Sequence, residues 1–146
     1  MTLRIEEIRY SEAAFAPLLA EAEGAGGAFM LRVRDEWVSC VQRFDGPGEF
    51  LLGAFSGDRL VAVGGVSRDP YRPQPGLGRV RHVYVLQELR RHGVGRMLME
   101  AIIGKARTDF AVLRLRTRSA GAAALYESLG FERYAGDDET HRLTLR

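Results

Sequence analysis

The chain has 146 residues, enough for one domain with its own hydrophobic core. Its composition, 46% hydrophobic and 27% charged, is ordinary for a globular protein and argues against a disordered or membrane-spanning chain. The net charge of +2 is too small to indicate nucleic-acid binding, and acidic residues interrupt the N-terminal half. We therefore expect neither a nucleic-acid partner nor a membrane partner.

The single cysteine, Cys40, cannot form an internal disulfide. The N-terminus lacks the apolar stretch of a secretion signal, so a reducing cytoplasm is the expected location. The three histidines, His82, His92 and His141, are not spaced like metal ligands. No metal is therefore expected.

The chain begins with a predicted strand and two helices. Alternating apolar residues predict a strand over residues 3–9, and Ser11 is the predicted N-cap of a helix over residues 12–23. The glycine-rich residues 24–27 are expected to end that helix. A second helix is predicted over residues 29–43, where apolar residues recur every three or four positions.

A hairpin and a loop follow. Residues 45–48 are a turn cluster, and two strands over residues 50–55 and 59–66 are joined by residues 56–58. Both strands are almost continuously apolar, which predicts that both faces of the sheet are covered. Residues 68–78 contain three prolines and are predicted to be a loop.

Strands alternate with helices in the C-terminal half. The predicted strands cover residues 80–86, 110–117, 131–134 and 140–145. The predicted helices cover residues 93–108 and 120–129, and Gly130 is the expected glycine just beyond the second of them. Hairpins first and strand–helix–strand units later predict a single mixed α+β domain over residues 1–146.

The start of the helix at residue 93 has the features of a phosphate-binding site. Main-chain N–H groups in a first helical turn have no partner inside the helix, and the helix dipole favours an anion there. Gly93 and Gly95 lack a Cβ atom, so a pyrophosphate can approach closely, and Arg90, Arg91 and Arg96 add positive charge. The segment is not a P-loop, because no Gly-Lys-Ser/Thr follows. Helix entry without a ligand is the alternative explanation.

Two motifs resemble those of the GCN5-related N-acetyltransferase (GNAT) family. Residues 90–95, Arg-x-x-Gly-x-Gly, are similar to the Arg/Gln-x-x-Gly-x-Gly/Ala signature, and residues 125–131 are similar to the family's Leu-Tyr-x-x-x-Gly-Phe block. The motifs occur in the family's order, and its succession of elements spans essentially the whole chain. The resemblance implies a central, mostly antiparallel sheet of six to seven strands, about four flanking helices, and a splay between strands 4 and 5.

The resemblance also implies an activity, the transfer of an acetyl group from acetyl-coenzyme A to a primary amine of a small molecule or peptide. The amine would attack directly in a ternary complex. Tyr126 would protonate the departing thiolate, although packing of its ring is the alternative. The residues with implied cofactor contacts are Tyr84, Val85, Arg90, Arg91, His92, Gly93, Val94, Gly95, Arg96, Ser119 and Tyr126.

Two of these positions have specific expectations. Val85 would offer main-chain hydrogen bonds to the pantetheine arm, and the amides of residues 91–96 would hold the pyrophosphate. Ser119 stands where the family often has an asparagine that contacts the cofactor. Its hydroxyl can still form a hydrogen bond, but Ser119 is equally suited to capping the helix that begins at residue 120.

The acceptor side is less defined by the sequence. Some family members place a base on strand 4 at positions that match Arg79 and Arg81, and arginine cannot act as one. These two residues share one face of the strand and would favour an acceptor with a carboxylate or phosphate, with ion pairing as the alternative. Alternation turns His82 to the opposite face, so a structural role is predicted for it.

Three other residues are candidate acceptor-side groups, namely Glu36, Asp69 and Tyr71, and a solvated surface position is expected for each. A non-catalytic acyl-coenzyme A sensor is the alternative function, because no base is evident in the sequence. An exposed final strand would also be compatible with a homodimer.

Overall fold

The structure is a computed structural model and describes residues 2–24 and 29–145. In this part of the chain seven strands form one sheet, namely β1 Arg4–Glu7, β2 Phe50–Ser56, β3 Arg59–Arg68, β4 Leu77–Val85, β5 Val112–Leu115, β6 Glu132–Arg133 and β7 His141–Thr144. Four α-helices are described with them, namely α1 Glu12–Gly24, α2 Phe29–Val38, α3 Val94–Ala106 and α4 Ala120–Ser128.

The sheet order is β1-β2-β3-β4-β5-β7-β6, and every pairing is antiparallel except that of β4 with β5. This confirms the predicted mixed fold with a mostly antiparallel sheet. The parallel register pairs Leu77–Arg79 with Val112–Arg114, and residues 80–85 have no β5 partner in the described chain. The two strands therefore splay apart after Arg79, as the resemblance implied.

Both faces of the sheet are covered. Central β3 residues such as Val61, Ala62 and Val63 are completely buried, with α3 on one face and α1 and α2 on the other. Burying this apolar surface on both sides is the main stabilising contribution to the fold. The prediction drawn from the continuous apolar strands is confirmed.

Helix α2 is shorter than the predicted residues 29–43. It ends at Val38, and Cys40 and Phe44 have φ angles of 63° and 56°, which a right-handed helix cannot contain. Val41 fitted the apolar periodicity but is 71% exposed, so no packing holds a further turn in place. The chain instead folds back to bury Phe44. The prediction was wrong here because the periodicity gave no indication of which apolar residues have something to pack against.

Smaller differences concern boundaries. Ser11 accepts a hydrogen bond from the N–H of Ala14 at 3.2 Å, as expected of an N-cap. Of the predicted stop at residues 24–27, Gly24 is the last residue of α1 and the others lie outside the described residues. β4 begins at Leu77, so the loop before it is shorter than predicted. Pairing with strands on both sides extends β4 into the predicted loop.

β4 contains a bulge at His82. Two consecutive residues, His82 and Val83, oppose the single residue Gly64 of β3, and His82 has a φ of 58°. A bulge interrupts the alternation of side chains along a strand. Arg81 and His82 consequently face the same side and both approach Glu36 of α2. The prediction that His82 faces away from Arg81 is therefore wrong.

A buried arginine holds two loops against the sheet. Arg114 is completely buried and contacts three carboxylates: Asp69 after β3 at 2.7 Å, and Asp138 and Glu139 before β7. Burial alone would raise the pKa of Glu139, but hydrogen bonds from Arg114 and Arg142 outweigh it and hold that pKa below its usual value. The cluster therefore fixes both loops beside the splay.

No helix in the described residues is long and apolar enough to cross a membrane.

We expect Arg114→Leu to lower the free energy of unfolding by about 3–5 kcal/mol, because it leaves buried carboxylates without a counter-charge. Urea unfolding of the purified variant measures this. Arg116→Leu is the matched control, since Arg116 is exposed in the same segment, and it should change the unfolding free energy by less than about 0.5 kcal/mol. Equal losses in the two variants would contradict the structural role of Arg114.

The lowered pKa of Glu139 predicts acid sensitivity. A group with a depressed folded pKa contributes stability above its unfolded pKa, about 4.3, and loses it as the pH falls through the folded value. Wild type should therefore lose more stability between pH 5 and pH 3 than Glu139→Gln, which has no carboxylate there to protonate. Urea midpoints across this range would show parallel curves if the prediction is wrong.

Candidate active site

The first turn of α3 presents an open row of main-chain amides, which we call the amide row and define as the N–H groups of Val94, Gly95 and Arg96. These groups have no acceptor inside the helix. Gly93 is the N-cap, with a φ of 80° and no side-chain cap bond. A Cβ atom at Gly93 would meet nothing within 4 Å, so the space in front of the row is open. The arrangement suits an anionic group.

Gly95 has a second reason to be glycine. A Cβ atom there would lie 3.3 Å from Leu125 of α4 and 3.8 Å from Val85 of β4. The two sequence motifs therefore meet at this position, and the close approach brings the start of α3 against the end of β4. Sequence reasoning related Gly95 only to a ligand and missed this packing role.

The main chain of Val85 faces the splay. The N–H of Leu86 bonds to the carbonyl of Val61 in β3 at 3.0 Å, and the N–H and C=O of one trans peptide group point in opposite directions. The Val85 carbonyl therefore points away from β3, where it accepts a hydrogen bond from Nε of Arg90 at 2.9 Å. The Val85 carbonyl is engaged by Arg90 in this structure, and its contact with a pantetheine arm stays a prediction.

Other predicted cofactor residues surround the amide row. Arg91 and His92 are exposed beside it, with a φ of 66° at Arg91. Arg96 is also exposed, and its guanidinium donates to the hydroxyl of Ser128 in α4. The structure thus brings these side chains to one rim of the splay. Their contact with a cofactor stays a prediction.

Tyr84 occupies a different position from its neighbours. Its hydroxyl donates to Glu21 of α1 at 2.7 Å, and the same carboxylate oxygen accepts the N–H of Gln87 at 2.8 Å. Burial and this carboxylate raise the pKa of Tyr84 to about 12. The side chain therefore fixes the segment after β4 to α1, so a cofactor contact would have to come from the Tyr84 main chain.

Tyr126 is buried at the end of the second motif. Its ring lies 5.6 Å from Phe131 and 6.5 Å from His141 of β7, centroid to centroid, so the structure shows the packing that was the alternative explanation for this residue. Its hydroxyl has no hydrogen bond to another residue in the described chain. Burial raises the pKa of Tyr126 to about 12, so the phenol keeps its proton at neutral pH. Such a group can donate a proton.

Ser119 caps α4. Its hydroxyl oxygen accepts a hydrogen bond from the N–H of Ala122 at 3.1 Å. The capping interpretation of this position is therefore confirmed. The hydroxyl hydrogen remains able to donate elsewhere, so the cofactor contact stays a prediction alongside it.

The two arginines of β4 are engaged by acidic partners. Arg79 is buried, its Nη1 lies 3.9 Å from a carboxylate oxygen of Asp69, and its Nη2 donates to the main-chain carbonyl of Asp138 at 2.6 Å. Its guanidinium carbon lies 4.6 Å from the ring centroid of Tyr71. Arg81 approaches Glu36 at 3.3 Å. They share one face as predicted, but they are already paired. The structure therefore shows the ion-pairing alternative in place of a free anion-binding pair.

The three residues that were expected to be solvated differ in their exposure. Tyr71 is 60% exposed, whereas Asp69 is buried against Arg114, so the expectation for Asp69 is wrong. The Glu36 side chain is only 19% exposed and faces β4. Sequence reasoning missed this because the bulge at His82 and the folding of the Asp69 loop over the sheet leave no signal in the residue pattern.

The model of the Acetyltransferase (GNAT) family matches residues 13–131. The chain belongs to the GNAT acetyltransferase family. Residues described in the structure contain no group of three side chains that could hold a metal ion.

Individual relatives support this membership. The chain is 36% identical over 87 residues to the N-alpha-acetyltransferase RimI of Mycobacterium tuberculosis, covering 60% of this chain and 54% of that protein. It is 37% identical over 82 residues to an uncharacterized protein of Mycobacterium leprae, covering 56% of this chain and 23% of that protein. The chain therefore spans about half or less of these curated relatives.

Solved structures match over nearly the full length. A protein from Exiguobacterium sp. 255-15 has a TM-score of 0.82 and 34% identity, covering 99% of this chain and 94% of that chain. A GNAT-family protein from Desulfovibrio desulfuricans has a TM-score of 0.77 and 18% identity, covering 99% and 100%. The second likeness concerns the fold alone.

We expect Gly93→Ala to weaken acetyl-coenzyme A binding about tenfold or more, because a side chain disfavours the left-handed N-cap that aims the amide row. Isothermal titration calorimetry measures the dissociation constant. Gly57→Ala is the matched control: Gly57 has a φ of 62° and equally open surroundings but lies in the β2–β3 turn. Unchanged affinity in Gly93→Ala, or an equal loss in both variants, would contradict the role of the amide row.

Proposed function

We propose that the protein transfers an acetyl group from acetyl-coenzyme A to a primary amine by direct attack in a ternary complex. The observation that carries the proposal is the open amide row at the start of α3, beside the splay between β4 and β5. This geometry suits a ligand with an anionic diphosphate at one end and a narrow arm that can enter the splay. Family membership supports the same chemistry.

The donor side fits coenzyme A. The amide row would hold the pyrophosphate, with Arg91 and Arg96 close by, and the Val85 carbonyl would receive the pantetheine arm once Arg90 turns aside. The open space at Gly93 leaves room for this approach. Acetyl-coenzyme A supplies an activated thioester, while the protein's own groups bind, orient and exchange protons.

Tyr126 is the proposed general acid. Because burial keeps its phenol protonated and its hydroxyl has no hydrogen bond within the described residues, the proton is available to a departing thiolate. A thiol has a pKa of about 8.5, well below that of Tyr126, so transfer of the phenol proton to the thiolate is uphill in itself. The transfer is therefore proposed to be coupled to cleavage of the carbon–sulfur bond.

The acceptor is proposed to be an amine of a peptide or small molecule. The relative from Mycobacterium tuberculosis is named an N-alpha-acetyltransferase, which places peptide α-amines among the first compounds to test. The polar residues Arg79, Arg81 and His82 line the side of β4 opposite α3. An acceptor approaching from there would meet the splay from the side away from the amide row.

A coenzyme A-release assay tests the proposal. Purified protein with acetyl-coenzyme A should release free thiol when given one or more members of a panel of peptide α-amines, lysine-type amines and polyamines. Mass spectrometry should show the matching acetylated amine. Binding of acetyl-coenzyme A without release on any amine would instead favour the sensor function, and no binding at all would reject both.

We expect Tyr126→Phe to lower kcat about 100-fold while leaving the dissociation constant of acetyl-coenzyme A within about threefold, because general-acid catalysis typically contributes this much to the rate and little to binding. Stopped assays on the best amine of the panel measure the change. Tyr10→Phe is the control, since Tyr10 is also a buried phenol with its pKa raised to about 12 but lies beside α2. A fall of similar size in both variants would point to packing.

A further inference from the structure

The bulge in β4 places one histidine and one arginine against a single carboxylate. Glu36 of α2 lies 3.3 Å from Nη2 of Arg81 and 3.4 Å from Nε2 of His82. The edge of the His82 ring also contacts Phe44. Arg81 and His82 stand on the stretch of β4 that has no β5 partner, and His82 is about 10 Å along the strand from Val85. The trio therefore lies on the α2 side of the splay.

The trio is not fully satisfied. The His82 side chain is 5% exposed, and its Nε2 has no hydrogen bond within the described residues, because the Glu36 oxygen is near but poorly aligned. Both contacts of Glu36 to Arg81 exceed 3.2 Å. Groups this loosely joined retain hydrogen-bonding capacity for a ligand. Buried polar atoms without partners are uncommon and call for an explanation.

Two other carboxylates on this side of β4 are already held by short hydrogen bonds. Oε1 of Glu21 accepts bonds from the Tyr84 hydroxyl and the Gln87 N–H at 2.7 and 2.8 Å. The Asp69 side chain is completely buried and bonded to Arg114 at 2.7 Å. Glu36, in contrast, is 19% exposed, and its contacts to Arg81 and His82 are 3.3 to 3.4 Å long. Of these three carboxylates in the described chain, Glu36 is the least firmly held.

We propose that Glu36 binds the acceptor amine as its ammonium and takes its proton, and that Arg81 and His82 are positioning residues that hold the carboxylate for this step. The proposal rests on the proposed acetyl transfer and names the acceptor-side group for it. It favours Glu36 over the other acceptor-side candidates named in the sequence analysis, Asp69 and Tyr71.

The step balances as follows. An N–H bond of the ammonium breaks and its proton passes to a Glu36 oxygen, leaving a neutral amine with a lone pair. That nitrogen forms a bond to the thioester carbonyl carbon, the carbon–sulfur bond breaks, and the thiolate takes the Tyr126 proton. The partly exposed Glu36 returns its proton to water. After the attack the nitrogen carries a positive charge, and its second N–H bond breaks as this proton passes through water to the Tyr126 phenolate. The net products are the acetylated amine, coenzyme A thiol and the one proton released from Glu36, with the Tyr126 phenol restored.

His82 adds no further positive charge to the two arginines near Glu36. Burial, followed by Arg81, lowers the pKa of His82 to about 4, so the ring is neutral at physiological pH and adds no second positive charge. Arg32 of α2 also faces the cluster. With His82 neutral, the carboxylate keeps an attraction for a cationic acceptor that a protonated histidine would reduce.

The pH dependence of Glu36→Gln tests the proposal. The acceptor is the panel amine with the fastest turnover, whose own pKa is known, about 8 for an α-amine or 10.4 for a lysine-type amine. Two pH units below that pKa we expect kcat/KM to fall about 100-fold relative to wild type, since the base is lost. One unit above it the loss should shrink to about threefold, because the amine then arrives neutral.

A purely structural role predicts a different result. If Glu36 only supports α2, the ratio of wild-type to variant kcat/KM stays constant across pH, and that outcome overturns the proposal. No loss at any pH overturns it as well. Calorimetry with acetyl-coenzyme A and thermal unfolding are run on the same samples. The expected results are a dissociation constant equal to that of wild type and a difference in melting temperature from wild type that stays constant across the pH range.

Asp35→Asn is the matched control, because Asp35 is the neighbouring carboxylate of α2, with a side chain that is 69% exposed and paired with Arg34. It should follow the wild-type pH profile within about twofold. If wild type acetylates no amine in the panel, the proposed function fails and the Glu36 proposal fails with it. If wild type is active and the Glu36→Gln ratio is flat, only the Glu36 proposal fails.

Discussion

The short parallel contact between β4 and β5 is the constraint on which the site depends. It ends where Arg79 and Arg114 lie side by side, and two guanidinium groups in neighbouring positions repel each other. Carboxylates from two loops compensate, chiefly Asp69 and Glu139 around Arg114. A buried ionic cluster of this kind requires all of its partners, so the loops and the strand end are fixed together. Beyond it, β4 runs on without its neighbour and the splay opens.

The two faces of β4 beside the splay differ in polarity because of the bulge at His82. On the α3 side, Val83 and Val85 continue an apolar surface that meets Gly95. On the other side, the bulge at His82 adds a polar residue to a row that already includes Arg81. An apolar surface suits the arm of the thioester, whereas a polar surface suits a charged amine. A regular strand would have mixed the two characters on each face.

The start of α3 is suited to an anion by both its geometry and its charge. Its main-chain N–H groups are unpaired because a first helical turn has no internal acceptors for them, and the left-handed Gly93 directs them outward. Gly95 then lets α3 approach Leu125 and Val85 closely. The anion-binding end, the strand that would carry the arm and the helix that carries Tyr126 are thus held in one compact arrangement.

The sequence by itself determined the elements that local chemistry specifies. Glycine spacing indicated the start of α3, the hydroxyl of Ser119 indicated a cap, and continuous apolar runs indicated strands buried on both faces. These features depend on neighbouring residues, so periodicity and capping chemistry suffice to predict them. Together with the two motifs they gave the family and the order of the elements.

Only the tertiary structure decided how the acceptor side is built. The bulge that turns His82 toward Glu36 depends on the pairing of β4 with β3, which alternation along one strand cannot reveal. The end of α2 at Val38 and the burial of Asp69 depend on which distant groups are available for packing or pairing. Contacts between residues far apart in the chain set these features, and local residue patterns carry no information about them.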